Sequence, residues 1–287
     1  MTQSDPTVRS QELGDELRTL REANALSLVD AARRIDASGS KLSRIETGIS
    51  APSAEDVSGL LVLYGVNGEK RRELLALARE SERRGWWQRN HPGFAERQRT
   101  LVSLEAKADS IVNFEPIVVP GLLQTGEYTR AIMRDSGVVP EPQIEARMVT
   151  RLHRHAVLRR EHPPKLLAVM DELVLKRPIG GPEVLRRQIE YLLEACTMPN
   201  VTIRIVPNDG RAHAGVDGAF TVLRRSGMSA VIFAETLTSC LFLEDKAEIE
   251  TYEYVLRTLS ERALDQRGSI ALMADLARRL DSEESGT

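Results

Sequence analysis

Residues 26–48 read L-S-L-V-D-A-A-R-R-I-D-A-S-G-S-K-L-S-R-I-E-T-G. The stretch divides into two short helices joined by a tight turn. Ser27 is a good N-cap, and Asp30 three residues later gives a start of the capping-box kind. Leu28, Ala31, Ala32 and Ile35 recur at helical spacing, predicting one apolar stripe with two small residues over which a second helix can cross. Asp36 and Ala37 supply the turn, and Ser38 can cap the next helix. Gly48 ends that helix, since glycine takes left-handed backbone without a steric penalty. Leu42 and Ile45 face inward, while Ser40, Lys41 and Arg44 gather on the outer face. A helix so presented can enter the major groove of double-stranded DNA. There Arg and Lys suit guanine O6 and N7, and Ser can donate or accept. Taken alone, such a cluster is equally the solvated face of an amphipathic helix.

The surroundings favour the DNA reading. The chain of 287 residues has a net charge of −3, yet across 33–44 the cations Arg33, Arg34, Lys41 and Arg44 stand against Asp36 alone. The positive charge is local, and an acidic remainder limits non-specific attraction to DNA. The length allows two domains with cores of their own. Neither a secretory leader nor a long apolar run is read, so a soluble, cytoplasmic protein is expected. Cys196 and Cys240 lack metal-type or redox-type spacing and are expected to be buried thiols.

Helices are expected at 13–23, 53–64 and 69–84 around the central pair, making a five-helix all-α domain over 1–84. Residues 85–97, with both tryptophans, Trp86 and Trp87, read as a linker that either packs the domains together or offers a stacking platform. From residue 98 onward the pattern mixes helices (101–111, 122–134, 143–161, 181–196, 245–267, 269–280) with strand-like runs (165–175, 201–206, 220–223, 230–233, 239–243). That order predicts an α+β domain over 98–287 with a mostly antiparallel sheet.

Residues 11–66 resemble the Xre/Cro-repressor type of helix-turn-helix. The likeness is carried in register by Leu17, Leu20, Arg21, Leu26, Ser27, Ala32, Ser38, Ser43, Arg44, Ile45, Glu46, Gly48, Pro52 and Ser53. The resemblance implies a partly buried ion pair between Arg21 and Glu46, phosphate contacts from Ser27, Ser38 and Thr47, and base reading by Ser40, Lys41 and Arg44; Arg33 and Ser43 are further candidate phosphate contacts. A homodimer on an inverted repeat is expected, since one recognition helix reads too few bases for useful affinity. Where that type often carries glutamine at the start of both helices, this chain has Leu28 and Gly39, which shifts the expected preference from adenine toward guanine. Residues 114–128 (F-E-P-I-V-V-P-G-L-L-Q-T-G-E-Y), 201–207 and 213–220 resemble the C-terminal domain of WhiJ-type actinobacterial regulators. These are often paired with a small BldB-like partner in an antitoxin-like arrangement. A role centred on holding such a partner is the alternative reading, with a small-molecule effector as the other form of control.

Common enzyme templates (G-x-S-x-G, H-E-x-x-H, a P-loop, G-x-G-x-x-G) are missing from the sequence. No catalytic residue, cofactor or metal site is expected, and a DNA-localised enzyme is the least favoured reading. His153, His155 and His162 have no metal-type spacing and read as part of a solvated basic helix. Two segments remain as candidate ligand or partner sites: the loop 210–218 with Arg211, His213 and Asp217, and 120–128 with Gln124 and Tyr128. Ordinary loop and helix-start roles compete with both.

Overall fold

The computed structural model describes residues 7–80, 86–89, 94–236 and 239–285. The first five helices are α1 (Val8–Ala23), α2 (Leu28–Arg34), α3 (Gly39–Glu46), α4 (Ala54–Leu63) and α5 (Gly68–Glu80). Four begin with the N-cap chemistry that orphan backbone N–H groups require: Thr7, Ser27, Ser38 and Ser53 each accept from the amide three residues on. The turn between α2 and α3 places Asp36 at φ 55°, a left-handed position that a short polar side chain tolerates. Leu13, Leu17, Ala31, Ala32, Leu42, Ile45, Val57, Leu60, Leu61 and Leu74 form one apolar core. Gly14 permits the closest approach within it, because a Cβ there would lie 2.5 Å from the Ile45 carbonyl oxygen of α3.

The second part is an α+β unit on a seven-stranded sheet. Its strands are β1 (Trp86–Arg89), β2 (Ser110–Glu115), β3 (Lys165–Asp171), β4 (Val201–Val206), β5 (Phe220–Arg224), β6 (Val231–Glu235) and β7 (Ser239–Leu243), in the order β1-β7-β6-β5-β2-β3-β4. Pairing is antiparallel from β1 through β2 and parallel across β2, β3 and β4. The parallel pairs follow from the helices that separate those strands: α7 (Gly126–Asp135) and α8 (Glu141–His153) between β2 and β3, and α9 (Pro182–Ala195) between β3 and β4. Helices α6 (Phe94–Lys107), α10 (Lys246–Arg262) and α11 (Gln266–Ser285) complete the unit. One sheet face packs Ile111, Leu166, Ala168, Ile203 and Leu223 toward α9 and α11. The other packs Phe114, Val169, Val222 and Ile232 toward α10.

Several boundaries differ from the sequence expectation. The helix expected over 101–111 ends at Lys107, and Ile111 belongs to β2, where the β-branched run I-V-N-F fits a buried strand. The strand expected over 165–175 ends at Asp171, whose carboxylate accepts from the Leu173 amide and starts a 3-10 turn over Glu172–Lys176. The helix expected over 143–161 is α8 followed by a separate 3-10 turn, Arg154–Arg159. Within the segment read as a linker, Trp86–Arg89 pair with β7 and cover what would be its open edge. The side chains of Trp86 and Trp87, and residues 90–93, lie outside what the structure describes.

Candidate functional site

Helix α3 is held by a buried pair. Arg21 Nε donates to Glu46 Oε1 at 2.7 Å and Nη2 to Oε2 at 2.9 Å, while Nη1 donates to the Leu26 carbonyl at 2.8 Å. One guanidinium therefore ties α1 both to the last residue of α3 and to the start of the helix-turn-helix. With Leu42 and Ile45 in the core, the opposite side of α3 faces outward. Ser40, Arg44 and Thr47 follow at spacings of four and three on that side, with Ser43 beside them. Ser27 and Ser38 occupy the two N-caps, so each hydroxyl sits beside a helix N-terminus, a favourable place for a phosphate.

The three residues expected to read bases are not equivalent. Lys41 Nζ bonds Asp56 Oδ1 at 2.6 Å, and Asp56 also closes the capping box of α4 with Ser53. Burial opposes the Asp56 charge, but the bonds from Lys41 and Ser53 outweigh it and hold its carboxyl below the ordinary range. Lys41 is thus drawn toward α4 and must leave Asp56 to reach a base edge. Arg44 makes no ion pair among the described residues. Arg33 approaches Asp30 only at 3.9 Å and is otherwise exposed.

The loop candidates of the second domain separate. His213 Nε2 contacts Asp171 Oδ2 at 2.9 Å, and its Nδ1 accepts from the Gly215 amide at 3.1 Å, so both ring nitrogens are engaged. This fastens the loop to the end of β3. Gly215 is required beside it, since a Cβ there would lie 2.2 Å from the Phe114 ring. Arg211 and Asp217 are exposed and do not converge with His213. Tyr128 lies wholly in the core, its hydroxyl near the Val119 amide at 3.4 Å. Gln124 is different: its Oε1 accepts from Thr129 and from Arg151 Nη1 at 3.2 Å, and it lines a cavity.

That cavity, about 250 Å³, was not foreseen. Asn113, Thr221 and Phe233 are directly opposed across β2, β5 and β6. Two residues further along each strand come Glu115, Ala219 and Glu235, on the same face. Arg151 of α8, Arg154 of the following turn and Leu101 of α6 close it from above. Arg154 is paired with Glu105 of α6, through Nε to Oε2 at 2.9 Å and Nη2 to Oε1 at 2.6 Å. Arg151 Nε is buried without a hydrogen-bond partner among the described residues. Desolvation pushes the Glu115 carboxyl up to about 8. Arg151 and Arg154, three apart, belong to the run read as a solvated basic helix. Their spacing was the available signal that one side of it turns inward.

Helix α6 touches both halves of the molecule. Leu101 lines the cavity and Glu105 pairs with its Arg154, whereas Thr100, Ser103 and Lys107 face α1, with Ser103 and Lys107 on Asp15 and Thr100 on Glu12. The end of α1 is fixed as well, because the Val8 amide donates to Glu244 Oε1 at 2.6 Å and Val8 packs in the sheet domain's core. Among the described residues no helix is long and apolar enough to cross a membrane, and no group of three or more His, Cys, Asp or Glu side chains could hold a metal ion.

Residues 12–74 match the model of a helix-turn-helix domain, and residues 98–275 match a domain of unknown function, DUF5753. Comparison with curated proteins gives no match.

Proposed function

The chain belongs to the DUF5753 family and carries a helix-turn-helix domain ahead of that family's domain; we propose that it is a sequence-specific transcriptional regulator of the Xre type, acting from the cytoplasm. The observation that carries the reading is the outward face of α3, where Ser40 and Arg44 stand clear of the core and Arg44 is unpaired among the described residues. Its reader is a homodimer on two half-sites about one helical turn apart, since one short helix contacts too few bases for useful affinity. Arg44 is the principal guanine reader, and Lys41 joins it once released from Asp56. The C-terminal domain controls the reader by binding a small ligand or a small partner protein, with α6 as the element touching both. A binding role rather than catalysis is supported by His213, whose two nitrogens hold its own loop. The test is genome-wide mapping of bound DNA, followed by titration of the sites found. Arg44→Ala is expected to cost about 1–3 kcal/mol and to relax preference at one base position. A loss uniform over all sequences would make Arg44 a phosphate contact, and the absence of mutant-sensitive sites would remove the reading.

A further inference from the structure

The cavity between the β2-β5-β6 face and α8 gathers ionisable groups of both signs that form no direct ion pair with one another among the described residues. Among the described residues, Arg151 makes no ion pair, and neither do Glu115 and Glu235. Arg154 is already neutralised by Glu105. A guanidinium Nε buried without a partner costs free energy unless something fills the place in front of it, because the desolvated donor has given up water. The carboxyls of Glu115 and Glu235 lie on β2 and β6 of the wall below, with β5 between them and Glu235 at the exposed rim. Asn113 and Thr221 add neutral polar groups between them, and Leu101, Phe220 and Phe233 supply apolar walls. Polar and charged side chains share the lining about equally with apolar ones, which suits a small ligand that carries charge.

We propose that this cavity binds a small zwitterion of amino-acid size, its ammonium group received by Glu115 and Glu235 and its carboxylate by Arg151. A purely cationic ligand would leave Arg151 Nε unmet, and a purely anionic one would face two carboxyls; only a ligand with both charges answers both walls. About 250 Å³ restricts it to a compact molecule. The inference rests on the reading that the C-terminal domain is a sensor. It names the ligand class and the residues of that sensor.

The experiment uses the full-length chain without DNA. Thermal shift and calorimetric titration are run with the twenty common amino acids, with putrescine as the cation-only probe and succinate as the anion-only probe. At least one amino acid is expected to bind, and the two control probes to bind at least roughly tenfold more weakly. Glu115→Gln is expected to keep the fold, because glutamine stands in for the neutral carboxyl, and to lose the ligand by about tenfold or more. Arg151→Gln should lose it too; if that variant fails to fold, Glu115→Gln and the two control probes decide. The proposal is overturned if no amino acid binds, if binding is unchanged in Glu115→Gln, or if putrescine or succinate binds as well as the best amino acid. Because binding is read without DNA, failure of the regulator reading leaves this result standing. An amino acid that binds but leaves DNA affinity unchanged would remove the control role and keep the site.

Discussion

At the scale of single residues, two buried charges make opposite predictions. Arg21 and Glu46 satisfy each other, so removing one strands the other. Arg21→Met is expected to destabilise the helix-turn-helix by about 3–5 kcal/mol, while Arg21→Met with Glu46→Leu recovers most of that, both read by urea unfolding. A double variant as unstable as the single one would place the pair's value in its attraction rather than in avoided desolvation. Glu115 is the reverse case. Its folded value of about 8 lies above the ordinary 4.5, so its contribution to stability is full below about pH 4.5 and is lost as pH rises to about 8. Facing it are Arg151 from α8, Arg154 with Glu105 of α6 beside it, and Glu235 from β6. Glu115→Gln should flatten the stability profile across that window and exceed the wild type at pH 8 by up to a few kcal/mol, at about 1.4 kcal/mol per unit. Equal slopes for both proteins would mean that the carboxyl titrates normally. Arg21 and Glu46 were legible in the sequence because their positions matched a known pattern. Arg151 was not, because an arginine on a basic amphipathic run reads as solvated until the sheet beneath it is known.

At the scale of elements, period and capping carried the helices of the first domain, each of which is local. The C-terminal boundaries were harder, since strands such as β2 are set by partners distant in sequence: Ile111 continues a helical apolar pattern, but its register with Leu166 and Leu223 makes it strand. The close crossing of α1 on α3 gives an element-scale prediction. A Cβ at Gly14 would meet the backbone carbonyls of Ile45 and Glu46, which cannot rotate away as a side chain can. Gly14→Ala should therefore cost about 1–3 kcal/mol despite alanine's better helix propensity. It should also weaken DNA binding beyond what the lost stability explains, because α3 must shift outward. Wild-type stability in a melting experiment would show that the crossing has slack.

At the scale of the molecule, the two domains share α1. Its middle residues, Leu13 and Leu17, belong to the helix-turn-helix core, while Val8 at its start belongs to the core of the sheet domain. The fixed end is electrostatic as well as apolar: the Glu244 carboxylate accepts from the Val8 amide where the helix dipole is positive. A second tether, Ser103 and Lys107 of α6 on Asp15, holds the same helix one to two turns further on. Asp15 is half exposed, so that tether contributes little to global stability, and Glu244, being buried, carries more of the docking. Glu244→Ala removes a charge-assisted bond of about 1.5–3 kcal/mol at the start of α1, where Val8 enters the sheet domain's core. In differential scanning calorimetry the wild type is expected to unfold in a single transition. The variant is expected to split, with the helix-turn-helix melting first and the sheet domain's midpoint nearly unchanged. A variant that still melts in one step, at the wild-type temperature, would show that α1 and α6 hold the halves together without Glu244 and would move the route of control onto Asp15.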